Sequence, residues 1–400
     1  MNDTLKELLI QKADEIWPSV IKNRRYLHTH PELSFMEFDT ASYIRNQLQD
    51  LQVPWQAMAT TGTVAILKGD LPNQQVIALR ADIDALPIIE QNQFEYASTH
   101  EGVMHACGHD AHTSSLLGVI AILHSIKHLW GGTIKFIFQP GEEKLPGGAS
   151  LMIAEGVLDK PKPSYIIGQH VMPSLACGKI AIRKGKFMAS MDEVLLKIKG
   201  KGGHGAQPHL NVDPVLIASH IIIALQQVVS RMAFPGHPTV LSFGKVIANG
   251  AINVIPDEVH VEGTFRAMDE TWRNEAHIKI KQIARGIAES MGAACEVTIH
   301  TGYPHLINHE ELSNKIESIS KDYLGKQNVL DQDIWMAAED FAYYSQVANG
   351  CFYLLGVGNP EKNINAALHT SRFDLDEDAL KISTGLMAYI ACKLLEEPPF

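Results

Sequence analysis

The chain has 400 residues, of which 46% are apolar and 20% are charged. Because one hydrophobic core rarely extends beyond about 250–300 residues, this length predicts two domains, and the composition excludes a disordered chain. The formal net charge of −11 repels nucleic acid and anionic membrane surfaces, so we expect neither as a partner.

The cysteines and the N-terminal residues bear on the cellular compartment. The five cysteines are scattered and show no paired spacing, which is typical of proteins from a reducing compartment. The first residues have the pattern of an amphipathic helix and lack the apolar core of a secretory signal. The longest apolar stretch, 215–229, is interrupted by His220 and two glutamines, so we expect it to be too short and too polar to span a bilayer. We therefore expect a cytoplasmic protein.

The first half of the chain alternates strand-like and helix-like segments. Apolar, β-branched runs at 76–82, 131–140 and 166–171 have polar residues at their ends, and a segment with helical spacing lies between the first two. Such runs are typical of buried parallel strands, and their alternation with helices predicts a mostly parallel sheet with helices on both faces. We expect this α/β domain to be the catalytic one.

The pattern changes near Phe187. From there the predicted order is strand, helix, strand, strand, helix, strand, which is typical of a ferredoxin-like α+β domain. After Tyr303 the chain returns to helix and buried-strand segments such as GCFYLLGVG. We therefore predict a discontinuous catalytic domain, 1–186 and 302–400, with an inserted satellite domain, 187–301.

The densest group of chemically active residues is HACGHDAH, which contains Cys107, His109 and His112. Cys107 and His109 can face one point if the loop is extended, and a thiolate with an imidazole suits a borderline-soft divalent ion. For this group alone, a buried thiol beside structural histidines is an equal alternative.

Two adjacent carboxylates follow the second predicted strand. Glu142 and Glu143 lie in FQPGEEKLPGG, at the position where open α/β sheets place their ligand sites. One carboxylate can bind a metal while the other takes a proton from water, a division of roles that suits hydrolysis. The alternative is a solvated acidic turn.

Further candidate ligands occupy similar strand-end positions. His170 follows IIGQ, His369 lies in NAALHTSRFD, and RADIDALP contains Asp82 and Asp84. If these side chains converge with the thiol, they form a two-metal site in which the aspartates orient the histidines. The sequence pattern leaves that convergence open.

Two other signals have a plainer interpretation. Glu339 and Asp340 precede an apparent helix, where acidic residues favour the N-terminus, so we interpret both as capping residues. The segment GKGGHG at 200–205 matches the dinucleotide-binding pattern G-x-G-x-x-G. However, it follows a half-exposed strand and lacks an acidic residue about twenty positions further on, which disfavours nucleotide binding.

Eight segments occur in the order of a known family: HTHPELSFMEFDTA, RADIDALPI, HACGHDAH, FQPGEE, KGGHGAQPH, INVIPDEVHVEGTFRA, AAEDFAYY and LHTSRFD. Together they resemble metallopeptidase family twenty, the aminoacylase and carboxypeptidase-G type of two-metal amidohydrolase. They are similar to its branch of hippurate hydrolase, N-acyl-L-amino acid amidohydrolase and auxin-conjugate hydrolase. The resemblance covers nearly the whole chain and implies a zinc-peptidase-like catalytic domain.

The resemblance also implies a metal site. It implies two divalent ions, Zn, Mn, Co or Ni, with the ligands Cys107, His109, Glu143, His170 and His369. In many relatives the first strand contains a His-x-Asp ligand motif, which here reads Arg80-Ala81-Asp82. We therefore assign Asp82 to orienting a ligand.

The remaining implied roles concern catalysis and substrate binding. Glu142 is implied as the general base. His204 resembles the satellite-domain histidine that stabilises the oxyanion, usually in the partner subunit's site. Asn253 and Arg266 lie in a motif resembling the family's contacts to the substrate carboxylate.

The function that follows from the resemblance is hydrolysis of the amide bond of a small-molecule N-acyl amino acid. The resemblance also implies a homodimer that associates through the satellite domain. One alternative is a dipeptidase or aminopeptidase of the same fold, which would require a free α-amine. Another is a catalytically silent binding protein, which the presence of every implied ligand and of the base disfavours.

Overall fold

The computed structural model describes residues 2–396. Its α-helices are α1 (Asn2–Thr29), α2 (Phe38–Asp50), α3 (His109–Ser125), α4 (Gly148–Ala154), α5 (Pro214–Gln227), α6 (Glu270–Ser290), α7 (Glu310–Leu324), α8 (Ala342–Val347) and α9 (Ala379–Glu396). Its strands are β1 (Trp55–Met58), β2 (Gly62–Lys68), β3 (Leu71–Asp82), β4 (Gly131–Gln139), β5 (Tyr165–Ala176), β6 (Ile180–Ile182), β7 (Gly185–Met188), β8 (Asp192–Lys199), β9 (Gly203–His204), β10 (Thr239–Ile247), β11 (Val254–Ile255), β12 (Glu258–Ala267), β13 (Ala294–Thr301), β14 (Leu306–Asn308), β15 (Val329–Asp331) and β16 (Asn349–Gly358).

The described residues divide into two compact units. The first contains the residues up to Phe187, Ile307–Asp333 and the residues from Asp340 onward, and the second contains Met188–Leu306 and Ile334–Glu339. The sequence-based boundaries lie at 186/187 and 301/302, and the short segment 334–339 is an addition to the second unit.

The apolar runs of the first half form the centre of an eight-stranded sheet with the order β1-β2-β4-β3-β5-β16-β6-β15. β3 is parallel to both β4 and β5, and β5 is parallel to β16, whereas β1, β2 and β6 each make antiparallel pairs. Strands that are buried on both faces must be apolar almost throughout, which explains why these segments lack alternation. The predicted mostly parallel sheet is confirmed.

Helix α3 is the central helix of the first unit and packs against α1, α9 and β3. Its apolar side chains are buried on every side, and Val119, Ile120 and Ile122 are each 0% exposed. Each such side chain stabilises the fold by about 1.5–3 kcal/mol. The preceding Gly108 has φ +85, and a Cβ there would overlap Val171, so the turn into α3 requires glycine. The buried helix thereby fixes where His109, its first residue, lies.

The second unit has a four-stranded antiparallel sheet with the order β10-β12-β8-β13. Helices α5 and α6 pack against each other and against strands of this sheet. The carboxylate of Asp213 accepts hydrogen bonds from the amides of Val215 and Leu216, at 2.8 and 3.2 Å, and so caps α5. The connectivity is ferredoxin-like, and the predicted fold class is confirmed.

Helix α5 continues through a π-helical turn to Met232. The segment Pro214–Met232 is long and apolar enough to cross a bilayer by length and composition, and 28% of its most apolar window is buried. The expectation that this stretch is too short and too polar was therefore wrong, because its isoleucines outweigh His220 and the two glutamines. Helices of soluble proteins meet the same criterion, so the segment is weak evidence for a membrane span.

Candidate metal centre

The central strands bring several polar side chains to one edge of the first unit's sheet. Asp82 ends β3 and pairs in register with Gln139, which ends β4. Glu142 follows three residues after Gln139, and His170 lies in the neighbouring strand β5. Because parallel strands end at a common edge, residues far apart in the sequence meet there.

The thiol of Cys107 lies between two histidines. Its Sγ is 3.3 Å from Nε2 of His170 and 3.2 Å from Nε2 of His369. Nε2 of His369 is also 3.1 Å from Oε1 of Glu143. Cys107 and His170 are buried, whereas the side chain of His369 is 53% exposed. The thiol, both imidazoles and one carboxylate therefore form a single cluster.

His369 has an unusual backbone conformation. Its φ is +59, a left-handed value that costs a non-glycine residue on the order of 1 kcal/mol or more. Its amide donates a 2.8 Å hydrogen bond to the carbonyl of Ala106, which links the strained residue to the segment containing Cys107. Such strain persists only where the surroundings enforce it.

His109 completes the cluster on the buried side. Its Nδ1 lies 3.1 Å from Oδ1 of Asp84, and its Nε2 lies 4.0 Å from Oε1 of Glu143. Nε2 of His109 is buried and makes no hydrogen bond among the described residues, and Oε1 of Glu143 has Nε2 of His369 as its close neighbour. A buried imidazole nitrogen that makes no hydrogen bond and lies beside the carboxylates of Asp82 and Glu143 fits a cation site.

The charges in the cluster also favour a cation. Burial raises the pKa of the Cys107 thiol well above its usual range, and the carboxylates of Glu143 and Glu142 raise it further. Burial alone would lower the pKa of His109, but the surrounding carboxylates, Asp82 first among them, raise it to about 10. Both raised pKa values reflect an excess of negative charge in the cluster. Bound divalent ions would offset this charge.

The donor set fits two ions. The thiol belongs to two groups of ligand atoms, and within each group the atoms lie within 4.8 Å of one another. The first group is Cys107, His109 and His170, and the second is Cys107, Glu143 and His369. Thiolate, imidazole and carboxylate donors together suit Zn and the neighbouring first-row metals. The structure thus brings together all five ligands implied by the resemblance.

Glu142 lies beside this donor set. Its side chain is 6% exposed, and its Oε1 accepts a long, 3.4 Å hydrogen bond from the amide of Asp340. Ligand atoms of Glu142, Glu143 and His109 lie within 4.8 Å of one another. A buried carboxylate at this distance from the donors can reach a water molecule held in the cluster.

Comparison with known proteins identifies the family. Residues 78–393 match Peptidase family M20/M25/M40. The chain belongs to this family. An N-acyl-L-amino acid amidohydrolase of Geobacillus stearothermophilus is 43% identical over 76% of this chain and 82% of its own. Thermostable carboxypeptidase 2 of Saccharolobus solfataricus is 36% identical over 97% of this chain and 98% of its own.

A solved structure shows the same architecture. A dinuclear metal-binding peptidase of the M20 family from Bacillus subtilis is 35% identical, has a TM-score of 0.82, and the match covers 96% of this chain and 99% of that one. The predicted family and enzyme class are confirmed: the protein is a metal-dependent amidohydrolase of the M20 family. Its cofactors are two divalent metal ions, as predicted.

A layer of buried polar residues supports the donors of this M20 enzyme. The amide of Val171 donates to Nε2 of His112 at 2.9 Å, so His112 must be protonated on Nδ1, which donates to Asp82 at 2.6 Å. This pairing occupies both ring nitrogens and leaves His112 no lone pair for a metal. Asp82 also accepts from Nη1 of Arg80 at 2.8 Å and lies 3.6 Å from Nε2 of His109. Asp82 therefore contacts groups around the ligands, and its orienting role stays a prediction.

Replacing Asp82 with asparagine is expected to weaken metal binding by about 10–100-fold, the usual effect of losing a residue that orients a ligand. Burial opposes the charge on this carboxyl, but His109, His112 and Arg80 hold its pKa well below the usual range. The substitution therefore removes a full negative charge beside the cluster. Competition with a chromophoric chelator measures the affinity.

Asp192→Asn is the matched control for this change. Asp192 is also fully buried and pairs with an arginine and a histidine, Arg273 and His277, but it lies in the second unit. We expect this variant to lose stability without a change in metal affinity. Equal losses of metal affinity in the two variants would contradict the orienting role of Asp82.

Asp340 has a different role from the predicted one. Its carboxylate is buried and accepts from Nη2 of Arg80, from Nε2 of Gln139 and from the amide of Ala149, at 2.8, 2.8 and 3.0 Å. It therefore forms a buried ion pair instead of capping α8, which begins at Ala342.

The three remaining candidate residues lie in the second unit. His204 lies on β9 and pairs with Val254 of β11. Asn253 directly precedes β11, and its carbonyl accepts from the amide of Gly205 at 2.8 Å. Arg266 lies on β12, opposite Val240 of β10, and burial lowers its pKa. The segment 200–205 contains strand β9 and no α-helix begins there, so the geometry of a dinucleotide-binding loop is absent.

Proposed function

We propose that the enzyme hydrolyses the amide bond of N-acyl amino acids and releases a carboxylic acid and a free amino acid. The observation that supports this most strongly is the buried carboxylate of Glu142 beside the Cys107–His109–Glu143–His170–His369 donor set. A relative that is 43% identical is named N-acyl-L-amino acid amidohydrolase, and we extend that substrate class to this chain.

In the proposed mechanism, Cys107, His109, Glu143, His170 and His369 hold the two ions. When bound, the ions supply Lewis acidity, which lowers the pKa of water and polarises the substrate carbonyl. Glu142 takes a proton from the attacking water and then donates that proton to the departing amine, so one carboxylate serves as base and as acid.

The residues of the second unit are proposed to act on the substrate. His204 donates a hydrogen bond to the oxyanion of the tetrahedral intermediate, where preorganised donors commonly contribute about 10²–10³ in rate. Arg266, with its planar guanidinium group, binds the substrate carboxylate together with Asn253. We propose the first unit as the metal-binding catalytic domain and the second as the satellite domain.

A substrate panel tests the proposal. Metal-stripped protein is reloaded separately with Zn, Mn, Co or Ni and assayed on N-acetyl and N-benzoyl amino acids, on blocked peptides and on free dipeptides. We expect metal-dependent cleavage of the N-acyl amino acids. Activity confined to free dipeptides would contradict the proposal and indicate a dipeptidase or aminopeptidase.

A carboxypeptidase activity is the second candidate function. The relative named thermostable carboxypeptidase 2 is 36% identical over 97% of this chain. A carboxypeptidase also releases a C-terminal amino acid, but the acyl group that it cleaves off is a peptide. It therefore differs from an aminoacylase mainly in the size of the pocket for the acyl group. Faster cleavage of N-blocked dipeptides than of N-acetyl amino acids would favour this second function.

We also propose a cytoplasmic homodimer that associates through the satellite domain. The five cysteines are free, which suits a reducing compartment. On α5, Val215, Leu216 and Ile223 are 39%, 51% and 72% exposed, and a spacing of seven or eight residues places them on one helix face. An apolar face of this kind is suited to association between subunits.

The substitution Ile223→Arg is expected to weaken self-association by at least about 10-fold, because it places a charge in an apolar interface. Sedimentation velocity over a range of concentrations measures the change. Ile89→Arg in the first unit is the matched control, since Ile89 is 69% exposed. If both variants sediment as the wild type does, α5 is not the interface.

A further inference from the structure

The loop at 32–37, which contains ELSFME of the motif HTHPELSFMEFDTA, packs against the turn that contains Glu142 and Glu143. We call these six residues the support loop. The key side chain is Glu37, which is 0% exposed. Its Oε1 accepts from the amides of Gly141 and Phe35, both at 2.8 Å, and its Oε2 accepts from the hydroxyl of Thr61 at 2.7 Å. Three hydrogen bonds hold one buried carboxylate against the residue that directly precedes Glu142.

The shape of the loop is adapted to this contact. Phe35 has φ +66 and Gly141 has φ +57, and left-handed conformations are strained for residues other than glycine. A Cβ added to Gly141 would overlap the ring of Phe35. The phenyl ring therefore packs directly on the glycine backbone and leaves the turn no room to move toward the loop.

The support loop also holds the other side of the turn. The hydroxyl of Ser34 donates to Oδ2 of Asp84 at 2.7 Å, and the same oxygen accepts from the amide of Glu143 at 3.0 Å. The residues before and after Glu142 are thus both fixed, one by Glu37 and the other by Asp84 with Ser34. Glu37 and Ser34 both belong to the support loop, so this one loop contributes to both contacts.

Helix capping does not explain a glutamate at position 37. Glu37 is the N-cap residue of α2, yet its side chain makes no capping hydrogen bond, and glutamate is not among the residues favoured there. The orphan amides of this helix are served instead by Glu32, whose carboxylate accepts from Asp39 and Thr40 at 3.2 and 2.8 Å. The two glutamates of the support loop therefore have different roles: Glu32 caps α2, and Glu37 binds the amide of Gly141.

We propose that Glu37 is a positioning residue that fixes the backbone at Gly141 and so sets the carboxylate of Glu142 for proton transfer. This inference rests on the proposed function of Glu142. Glu37 has no place in the metal site itself, since its contacts are with Gly141, Phe35 and Thr61. Its loss is expected to affect the rate of the chemical step more than the binding of metal or substrate.

Three variants test the proposal. We expect Glu37→Ala to lower kcat by about 10–100-fold, because a displacement of about 1 Å in a catalytic group can cost that much, with KM within about three-fold of the wild type. Glu37→Gln should stay within about five-fold, since its amide oxygen can accept both N–H groups. Glu32→Ala is the matched control: it loses two hydrogen bonds to backbone amides from the same loop but should leave kcat within about three-fold.

A structural measurement accompanies the kinetics. We expect hydrogen exchange at the Gly141 amide to be at least about 10-fold faster in Glu37→Ala than in the wild type and unchanged in Glu32→Ala. Metal analysis should show two ions per chain in every variant. If Glu37→Ala fails to fold, Glu37→Asp serves in its place, since its shorter side chain cannot maintain the same three contacts.

Two results would overturn the proposal: equal kcat in Glu37→Ala and Glu32→Ala, or unchanged exchange at Gly141. Failure of the proposed function gives a different result. In that case Glu142→Ala retains its turnover, whereas the exchange at Gly141 still reports whether Glu37 anchors the turn.

Discussion

Replacing Glu142 with alanine is expected to lower kcat by at least about 100-fold, since loss of a general base commonly costs about 10²–10⁴ in rate. The carboxylate is 6% exposed and lies within 4.8 Å of donor atoms of His109 and Glu143. His109 and Glu143 are proposed metal ligands and so cannot also accept the water's proton, whereas Glu142 lies beside them and is not assigned to a metal. Steady-state assays on the substrate cleaved fastest by the wild type, with metal analysis of the same samples, measure the effect.

The comparison that isolates the role of Glu142 is Glu143→Ala. The two carboxylates are adjacent, but Oε1 of Glu143 lies 3.1 Å from Nε2 of His369 and 4.0 Å from Nε2 of His109, whereas Glu142 accepts from the amide of Asp340. We expect Glu142→Ala to keep two metal ions per chain and Glu143→Ala to lose at least one. Retention of more than about 1% of the wild-type kcat in Glu142→Ala would show that another group acts as the base.

Removing the thiol of Cys107 is expected to have an effect of similar size through a different route. Its Sγ lies 3.3 Å from His170 and 3.2 Å from His369 and belongs to both donor groups. Cys107→Ala should therefore bind no more than one ion tightly, with kcat lower by about 10³-fold or more, since a site that needs both ions loses its main source of transition-state stabilisation. Metal content is measured by mass spectrometry after gel filtration.

Cys351→Ala is the matched control for the thiol. Cys351 is also fully buried, but it lies in β16 and contacts the hydroxyl of Ser313. Its loss should cost about 1 kcal/mol of stability, as small core truncations do, and leave two ions bound. Cobalt-loaded samples add a spectroscopic test, because the thiolate-to-cobalt absorption should be absent in Cys107→Ala alone. Two tightly bound ions in Cys107→Ala would contradict the assignment.

Much of the metal centre could be predicted because it follows from sheet topology. Strands β3, β4 and β5 read as buried parallel strands from their apolar runs, and such strands bring their ends to one edge. The strand-end positions of Glu142, His170 and Asp82 therefore indicated a common edge, but the pattern left their convergence open, and the ligand set came from the family resemblance. The satellite domain could also be predicted from the sequence, because the alternation of its strands and the N-cap of helix α5 are local sequence patterns.

Contacts between distant segments could not be predicted. The bond from Gly141 to Glu37 spans 104 residues, and the ion pair of Arg80 with Asp340 spans 260. Asp340 was interpreted as a helix cap because acidic residues before a helix usually are, and no local pattern reveals a buried arginine opposite. The apolar segment 214–232 was misjudged because single polar residues were given too much weight against an average over the whole helix.

The exposure of His369 has a consequence for the kinetics of metal exchange. The other four proposed ligands are nearly or fully buried, whereas half of the His369 side chain faces solvent. Its strained backbone, φ +59, stores energy that rotation of this one residue would release. We therefore expect ions to enter and leave past His369, so that the residence time of the cofactor depends on this one exposed imidazole more than on the affinity of the whole site. We therefore also expect a chelator to remove metal while the core of the enzyme stays folded.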